Sequence, residues 1–201
     1  MNHMTVVEDR PRYGHGREAL LRAVITVVSE GGLRNLTYRS VAAQAGVTHG
    51  LVRHHFGSRD ALIEAALDYA LEQSLSESSL GPSLTSLEEF AASLAALIDL
   101  DPDLQAFQFE LVLESRRNPE LLPYAQRLYE GYRSATQAAL IALGFQGESL
   151  SWLVFAALDG LAFQQVVFGT AHQTTQGIHQ LQLLLASSTE PANSNQAMSL
   201  T

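Results

Sequence analysis

Residues 37–60 read TYRSVAAQAGVTHGLVRHHFGSRD. Small apolar residues lead to a glycine, and a short segment crowded with histidine and arginine follows it. Thr37 is suited to cap a short helix reaching about Ala45, which Gly46 breaks. Thr48 is placed to cap a second helix running to about His55. Two short helices joined by a tight glycine turn make a helix-turn-helix. Val41, Ala42 and Ala45 are small enough for the second helix to cross closely, and Val47 is expected to plug the core beneath the turn. Val52 and Phe56, one helical turn apart, anchor the second helix to the body. Thr48, His49, Gly50, Arg53 and His54 are then left facing outward, on an element as wide as a DNA major groove.

Working outward from this unit, Leu20, Leu21, Val24, Ile25 and Val28 form a helical stripe that begins at Arg17 and ends at Gly31 and Gly32. Residues 1–16, with Pro11, Gly14 and Gly16, are expected to be a flexible arm. Ser58 opens a long helix with Leu62, Ala65, Ala66, Tyr69 and Ala70 on its apolar side. SSLGPS at 78–83 reads as a linker, and SLEE at 86–89 as a capping box between Ser86 and Glu89. Asp101 and Asn118 each precede a proline suited to a first helical turn. Gly144, Gly147 and Gly169 mark further breaks. About nine helices and no convincing strand result, so the fold is all-α. It divides into an N-terminal three-helix helix-turn-helix DNA-binding domain (17–75) and a larger helical ligand-binding and dimerisation domain (84–186). The polar residues 187–201 are expected to be a disordered tail.

Composition narrows the functional class. Cysteine is absent, which excludes disulfides and thiolate metal sites and fits a cytoplasmic location. The apolar stretch 150–168 is interrupted by Asp159, Gln164 and Gln165 and has no flanking arginine or lysine, so it reads as a buried helix rather than a membrane span. The net charge of −9 is unevenly spread. Residues 1–60 hold eight arginines against five acids, a net of +3, and the remainder holds four against sixteen, a net of −12. A cationic end on an acidic chain is the distribution expected if that end alone meets a polyanion. His49, His54 and His55 do not make a metal site: adjacent histidines diverge on a helix, and no acid or thiol completes the set. No cofactor motif is present, and GHG at 14–16 lacks the pattern of a phosphate loop.

The stretch LTYRSVAAQAGVTHGLVRHHFGSRDALIEAAL (36–67) resembles the N-terminal signature of the TetR family of transcriptional regulators. Turn, core plug and the cap of the following helix recur in register. The resemblance implies that Thr37, Tyr38 and Arg39 meet a phosphate at a helix N-terminus. It implies that Thr48 bonds a phosphate or base, that Gly50 lets the backbone approach closely, and that Arg59 stands where the family has a phosphate-contacting lysine. Many members carry tyrosines at the positions of Arg53 and His54; Arg53 is able instead to make a bidentate contact to guanine. RRNPELLPYA (116–125) and ALDGLAFQ (157–164) are similar to segments of the group that includes the choline-pathway repressor BetI.

The remainder must then supply dimerisation and a signal input. WLVFAALDGLAFQQVVF (152–168) is apolar almost all round, as a helix buried on two sides would be. With GIHQLQLLLASS (177–188) it would form a four-helix bundle with a second copy, through Leu161, Phe163, Phe168, Leu181 and Leu184. DLQAFQFELVLESRR (103–117) places Glu110 and Glu114 one turn apart among apolar residues. Phe107, Phe109, Glu110, Leu113, Tyr129, Trp152, Phe155 and Asp159 are the candidates for lining an effector pocket. Glu114 is expected to face solvent or pair with Arg116, Arg117 or Arg133. The expected protein is a homodimer that releases double-stranded operator DNA when a small molecule binds, and is not an enzyme. Control by a protein partner, or action as an activator, fits the same residues.

Overall fold

The computed structural model describes residues 13–76, 78–80 and 83–188. Nine α-helices are present among them: α1 (Tyr13–Gly31), α2 (Tyr38–Ala45), α3 (His49–Phe56), α4 (Arg59–Ser76), α5 (Leu94–Leu100), α6 (Pro102–Ser115), α7 (Leu122–Ala142), α8 (Glu148–Phe168) and α9 (Ala171–Ser188). Short 3-10 turns at Leu33–Asn35 and Pro119–Leu121 complete the order, with no strand among the described residues. The all-α reading holds.

Local chemistry sets most of the boundaries. Asp101 caps α6 by accepting the Leu104 N–H at 3.1 Å, and Pro102 follows in the first turn, where its missing N–H costs nothing. Gly169 ends α8 in the left-handed conformation that L-residues avoid. Other boundaries depart from expectation. α1 begins at Tyr13, so residues 13–16 are helical rather than part of an arm, and residues 1–12 lie outside the described residues. α9 takes in Ser187 and Ser188, and the rest of the expected tail (189–201) also lies outside them, as do residues 77, 81 and 82 around the linker.

The capping box at Ser86 is not formed. Glu89 instead accepts from the backbone N–H and hydroxyl of Thr85, at 3.0 and 3.1 Å. The segment through Ser93 is a chain of turns, because Phe90 and Ala91 are drawn into the core and Ala91 adopts φ 56°, which a continuing helix forbids.

Two apolar cores organise the helices. The first joins α1–α4 through residues such as Leu21, Val24, Val41, Val52, Ile63 and Leu67. It also takes in Leu104, Phe107 and Leu111 from α6 and Leu128 from α7, so the N-terminal helices do not close their core within residues 17–75. The second gathers Phe90, Leu140, Val154, Leu158, Ile178 and Leu185 from the other end of the chain. α8 is long and apolar enough to cross a membrane by length and composition. Here its buried side carries Val154, Phe155, Leu158 and Ala162, and it packs against α5, α6, α7 and α9. Across the seam between the halves, Arg127 of α7 pairs with Glu64 and Asp68 of α4, both at 2.9 Å. These partners are exposed, so they orient the helices more than they stabilise them.

Phe107 is fully buried in the shared core. Phe107→Ala is expected to lower stability by about 3–5 kcal/mol. The loss should appear in urea titration as a single transition followed by helical ellipticity. A first transition at unchanged urea concentration, belonging to the N-terminal helices, would show that those helices do not depend on α6.

Candidate DNA-reading helix and effector cavity

The helix-turn-helix unit is built from paired caps and one obligatory glycine. The Ser40 N–H donates to Thr37 Oγ1 at 3.0 Å, and the Thr37 N–H donates to Ser40 Oγ at 2.9 Å, which secures the start of α2. Gly46 sits at φ 66°, ψ 31°, a left-handed position where a side chain would be strained. Thr48 Oγ1 accepts from the Leu51 N–H at 3.4 Å and starts α3. Val52 and Phe56 are buried, while Thr48, His49, Gly50, Arg53 and His54 all face outward as the spacing implied. Val47 differs: it is 37 % exposed, because its N–H closes the turn onto the Ala42 carbonyl at 2.9 Å and holds the side chain at the surface. Leu51, 40 % exposed, is an apolar group on the same surface that sequence reasoning left out. A Cβ added at Gly50 would meet nothing nearer than Thr48 Oγ1 at 4.0 Å, so nothing within the protein demands that glycine.

Several flanking residues already have partners within the protein. The Tyr38 hydroxyl donates to the Gly57 carbonyl at 3.0 Å and ties α2 to the corner after α3. Arg59 donates to the carbonyls of Leu33 and Leu36, at 3.0 and 3.4 Å, and so holds the 3-10 turn to the start of α4. Arg39 is exposed. His55 is half-buried beside the rings of His54 and Phe56, and the Arg17 guanidinium lies 5.6 Å from the centre of the Phe56 ring.

A cavity of about 260 Å³ opens among α4, α5, α6, α7 and α8, and Arg22 of α1 reaches its wall. Leu97, Leu104, Leu128, Phe155 and Leu158 make it largely apolar. Its polar groups form two sets. The Tyr132 hydroxyl donates to Gln108 Oε1 at 2.6 Å, and the Gln108 and Gln105 amides donate to Ser74 Oγ at 3.2 and 3.3 Å. Burial pushes the Tyr132 hydroxyl up to about 12. In the second set the Tyr129 hydroxyl lies 3.1 and 3.2 Å from the two carboxylate oxygens of Asp159. Burial raises the pKa of Asp159, against the opposing effect of that hydrogen bond, and burial beside the carboxylate raises that of Tyr129.

Of the eight expected pocket residues, Phe109, Tyr129, Phe155 and Asp159 line this cavity. Phe107, Glu110, Leu113 and Trp152 do not. Asp101, Leu104, Gln105 and Gln108 define the cavity face of α6 by helical spacing, which turns Phe107 into the first core and Glu110 toward the DNA-reading half. Glu110 accepts the Leu33 N–H at 3.4 Å. Glu114 is buried rather than solvated, pairing with Arg117 at 2.8 Å and reaching Arg34 at 3.9 Å. Leu113 and Trp152 are exposed. Ser74, Gln105, Gln108, Tyr132 and Thr136 went unread. Two glutamines on an apolar helix were the available signal, but their partner Ser74 lies on α4, remote in sequence.

Of the five expected interface residues, Leu161 and Leu181 pack against the second core instead of facing out. A Cβ at Gly177 would come within 2.7 Å of Leu161, so these two helices meet closely there. Phe163, Phe168 and Leu184 are exposed, with Trp152, Leu153, Val167 and Leu183 beside them in the chain. On α8 the exposed Trp152, Leu153, Ala156, Phe163 and Val167 follow helical spacing and make one apolar stripe, in which the Phe163 ring also meets that of Phe109 edge to face at 5.2 Å.

Comparison with known proteins places both halves. Residues 20–66 match the model described as bacterial regulatory proteins, tetR family, and residues 85–188 match the tetracyclin repressor-like C-terminal domain. The HTH-type transcriptional regulator BetI of Stenotrophomonas maltophilia is 37 % identical over 57 residues, spanning 28 % of this chain and 29 % of that relative. The chain thus matches under a third of that regulator's length. A solved TetR-family transcriptional regulator from Rhodococcus sp. has the same fold, with a TM-score of 0.71 over 87 % of this chain and 98 % of that one, at 24 % identity. The multidrug binding protein EbrR, solved with proflavin, gives a TM-score of 0.58 at 27 % identity over 84 % of this chain and 99 % of that one. The glycine-turned helix pair and the helical domain behind it have one common explanation: the chain belongs to the TetR family.

Proposed function

We propose that the chain acts as a homodimeric repressor, gripping a palindromic operator through α3 and releasing it when a small molecule fills the cavity. The observation that carries the DNA half is α3 itself. Its apolar residues Val52 and Phe56 are buried, and Thr48, His49, Arg53 and His54 are exposed on its outer face, where base edges would lie. Arg53 would give bidentate recognition of guanine, and the exposed Leu51 would suit a thymine methyl. The unfilled space at Gly50 leaves room for close backbone approach to the duplex.

The dimer rests on the apolar stripe of α8 with Phe168 of α8 and Leu183 and Leu184 of α9, which would bury against the same surface of a second copy around a twofold axis. Such a dimer would set two α3 helices one DNA turn apart, about 34 Å. The effector half rests on the cavity, since it shares α6 with the first core and Arg22 with α1. A ligand that fits better when α6 has shifted would favour the form that does not hold DNA. A hundredfold loss of operator affinity requires about 2.7 kcal/mol of such coupling. EbrR, with its bound proflavin, supports a small-molecule effector, and the BetI-like segments support a place near that group. The protein then works by binding rather than by turnover, in the cytoplasm with the DNA.

Selection of genomic fragments by the purified protein tests the reading, with a twofold-symmetric footprint as the expected result. On the recovered site, Arg53→Ala is expected to cost about 1–3 kcal/mol while leaving random DNA nearly unchanged. Equal losses on both would remove its base-reading role.

Arg59→Ala separates two roles. Loss of its carbonyl hydrogen bonds should lower stability by about 1 kcal/mol. Phosphate contact in addition would reduce the salt slope of DNA binding by about one. An unaltered slope would leave Arg59 as a purely structural residue.

Leu153→Glu, at an exposed position on α8, should give a folded monomer in sedimentation at micromolar concentration, by placing unpaired charges in the interface. A mutant that sediments as wild type, as a dimer, would move the interface elsewhere.

A further inference from the structure

We infer that the effector is a compact organic cation, an ammonium on an aromatic or aliphatic body, held by the carboxylate of Asp159. This rests on the reading of the cavity as the effector site and adds the ligand's charge. Three ionisable side chains stand on the cavity wall: Arg22, Asp101 and Asp159. Arg22 is already committed to Asp101, at 3.2 Å, and to Glu18, at 3.7 Å. Among the described residues no arginine pairs with Asp159, and the one hydrogen-bond donor it has is the Tyr129 hydroxyl. A single hydroxyl proton cannot satisfy two carboxylate oxygens, so a largely buried acid is left short of partners.

A second group on the wall is also unsatisfied. Thr136 is fully buried, lines the same cavity, and its hydroxyl has no hydrogen-bond partner. It lies two turns along α7 from Tyr129, on the same face, about 10 Å along the helix axis. The cavity thus holds a carboxyl group at one place and an orphaned hydroxyl at another, on a largely apolar wall. The Tyr129 and Phe155 rings meet edge to face at 5.3 Å beside the carboxylate, and aromatic groups of this kind attract a cation that has shed its water. The volume, about 260 Å³, is just below the usual range for drug-sized ligands and suits a smaller molecule. A neutral ligand would leave Asp159 without a counter-charge, and an anion would be repelled by it.

Three probes with one carbon skeleton isolate charge: 4-phenylbutylamine, protonated at neutral pH, 4-phenylbutanol and 4-phenylbutyrate. Calorimetric titration of the full chain should give the ammonium at least tenfold tighter binding than the alcohol, and the carboxylate the weakest. Asp159→Asn keeps the shape and the acceptor for Tyr129, and should erase the margin between ammonium and alcohol. Its melting temperature should not fall, which separates a lost counter-ion from a lost fold. Asp103→Asn, an exposed acid of the same chain, should keep the full margin and so exclude a general field effect. Equal or tighter binding of alcohol or carboxylate, a margin that survives Asp159→Asn, or no ammonium binding at millimolar concentration would overturn the assignment. Operator release by the same probes separates this proposal from the reading it rests on. Ammonium bound through Asp159 without release would uphold the cation site and sink the effector reading. Release by the alcohol or carboxylate but not by the ammonium would overturn the cation assignment while leaving the effector reading in place.

Discussion

Leu104, Phe107 and Leu111 of α6 enter a core whose other members come mainly from α1–α4. Close-packed interiors transmit displacement rather than absorb it, so α6 cannot move without disturbing the helices that support α3. Polar contacts follow the same seam. Asp101, the cap of α6, holds Arg22 of α1, and Glu110 accepts the Leu33 N–H after α1 ends. Arg59 closes the loop by gripping the carbonyls of the same 3-10 turn. The N-terminal helices are therefore fastened to the C-terminal half through α6, with apolar contacts on one edge and polar contacts beside them, and through α7, whose Leu128 enters the same core and whose Arg127 pairs with α4.

The adjoining face of α6 carries the cavity, with Leu104 shared between the two. Gln105 and Gln108 converge with Tyr132 on Ser74, a polar network whose groups satisfy one another. Asp159 and Thr136 are less well satisfied. A half-buried carboxylate with one donor and a buried hydroxyl with none both cost free energy in the empty protein. Local rules of polar satisfaction are broken most often where a protein binds something, and here both breaks lie on one cavity wall. A ligand that completes them would gain affinity from groups that folding left unpartnered.

The short helices and their turn were legible because their signals are local. Thr37 and Ser40 cap each other across three residues, and Gly46 takes a conformation that only glycine adopts freely. Val52 and Phe56 face inward by helical spacing alone, which leaves Thr48, Arg53 and His54 outside whatever the rest of the chain does. Leu161 and Leu181 show where such reasoning ends. A helix apolar on all sides has no periodic signal to say which side meets its own core and which meets a partner. The structure turned Leu161 inward against Gly177 and left Trp152 and Leu153 outward.

By itself the sequence determined the all-helical class, the glycine turn, the residues that α3 presents and the acid and aromatic groups at Tyr129, Phe155 and Asp159, because each depends on spacing within a few turns or on residue chemistry. Tertiary structure decided that Asp159 and not Glu110 faces the cavity. Glu110 and Asp159 are both acids on apolar helices, and nothing within either helix distinguishes them. Packing α6 against α1 turns Glu110 to the Leu33 N–H, while packing α8 against α7 brings Asp159 to the Tyr129 hydroxyl. It also brought Ser74 to Gln108 and Arg22 to Asp101 across 34 and 79 residues. Those pairings exist only once helices distant in sequence are pressed together by the burial of their apolar faces, a global outcome that no local pattern encodes.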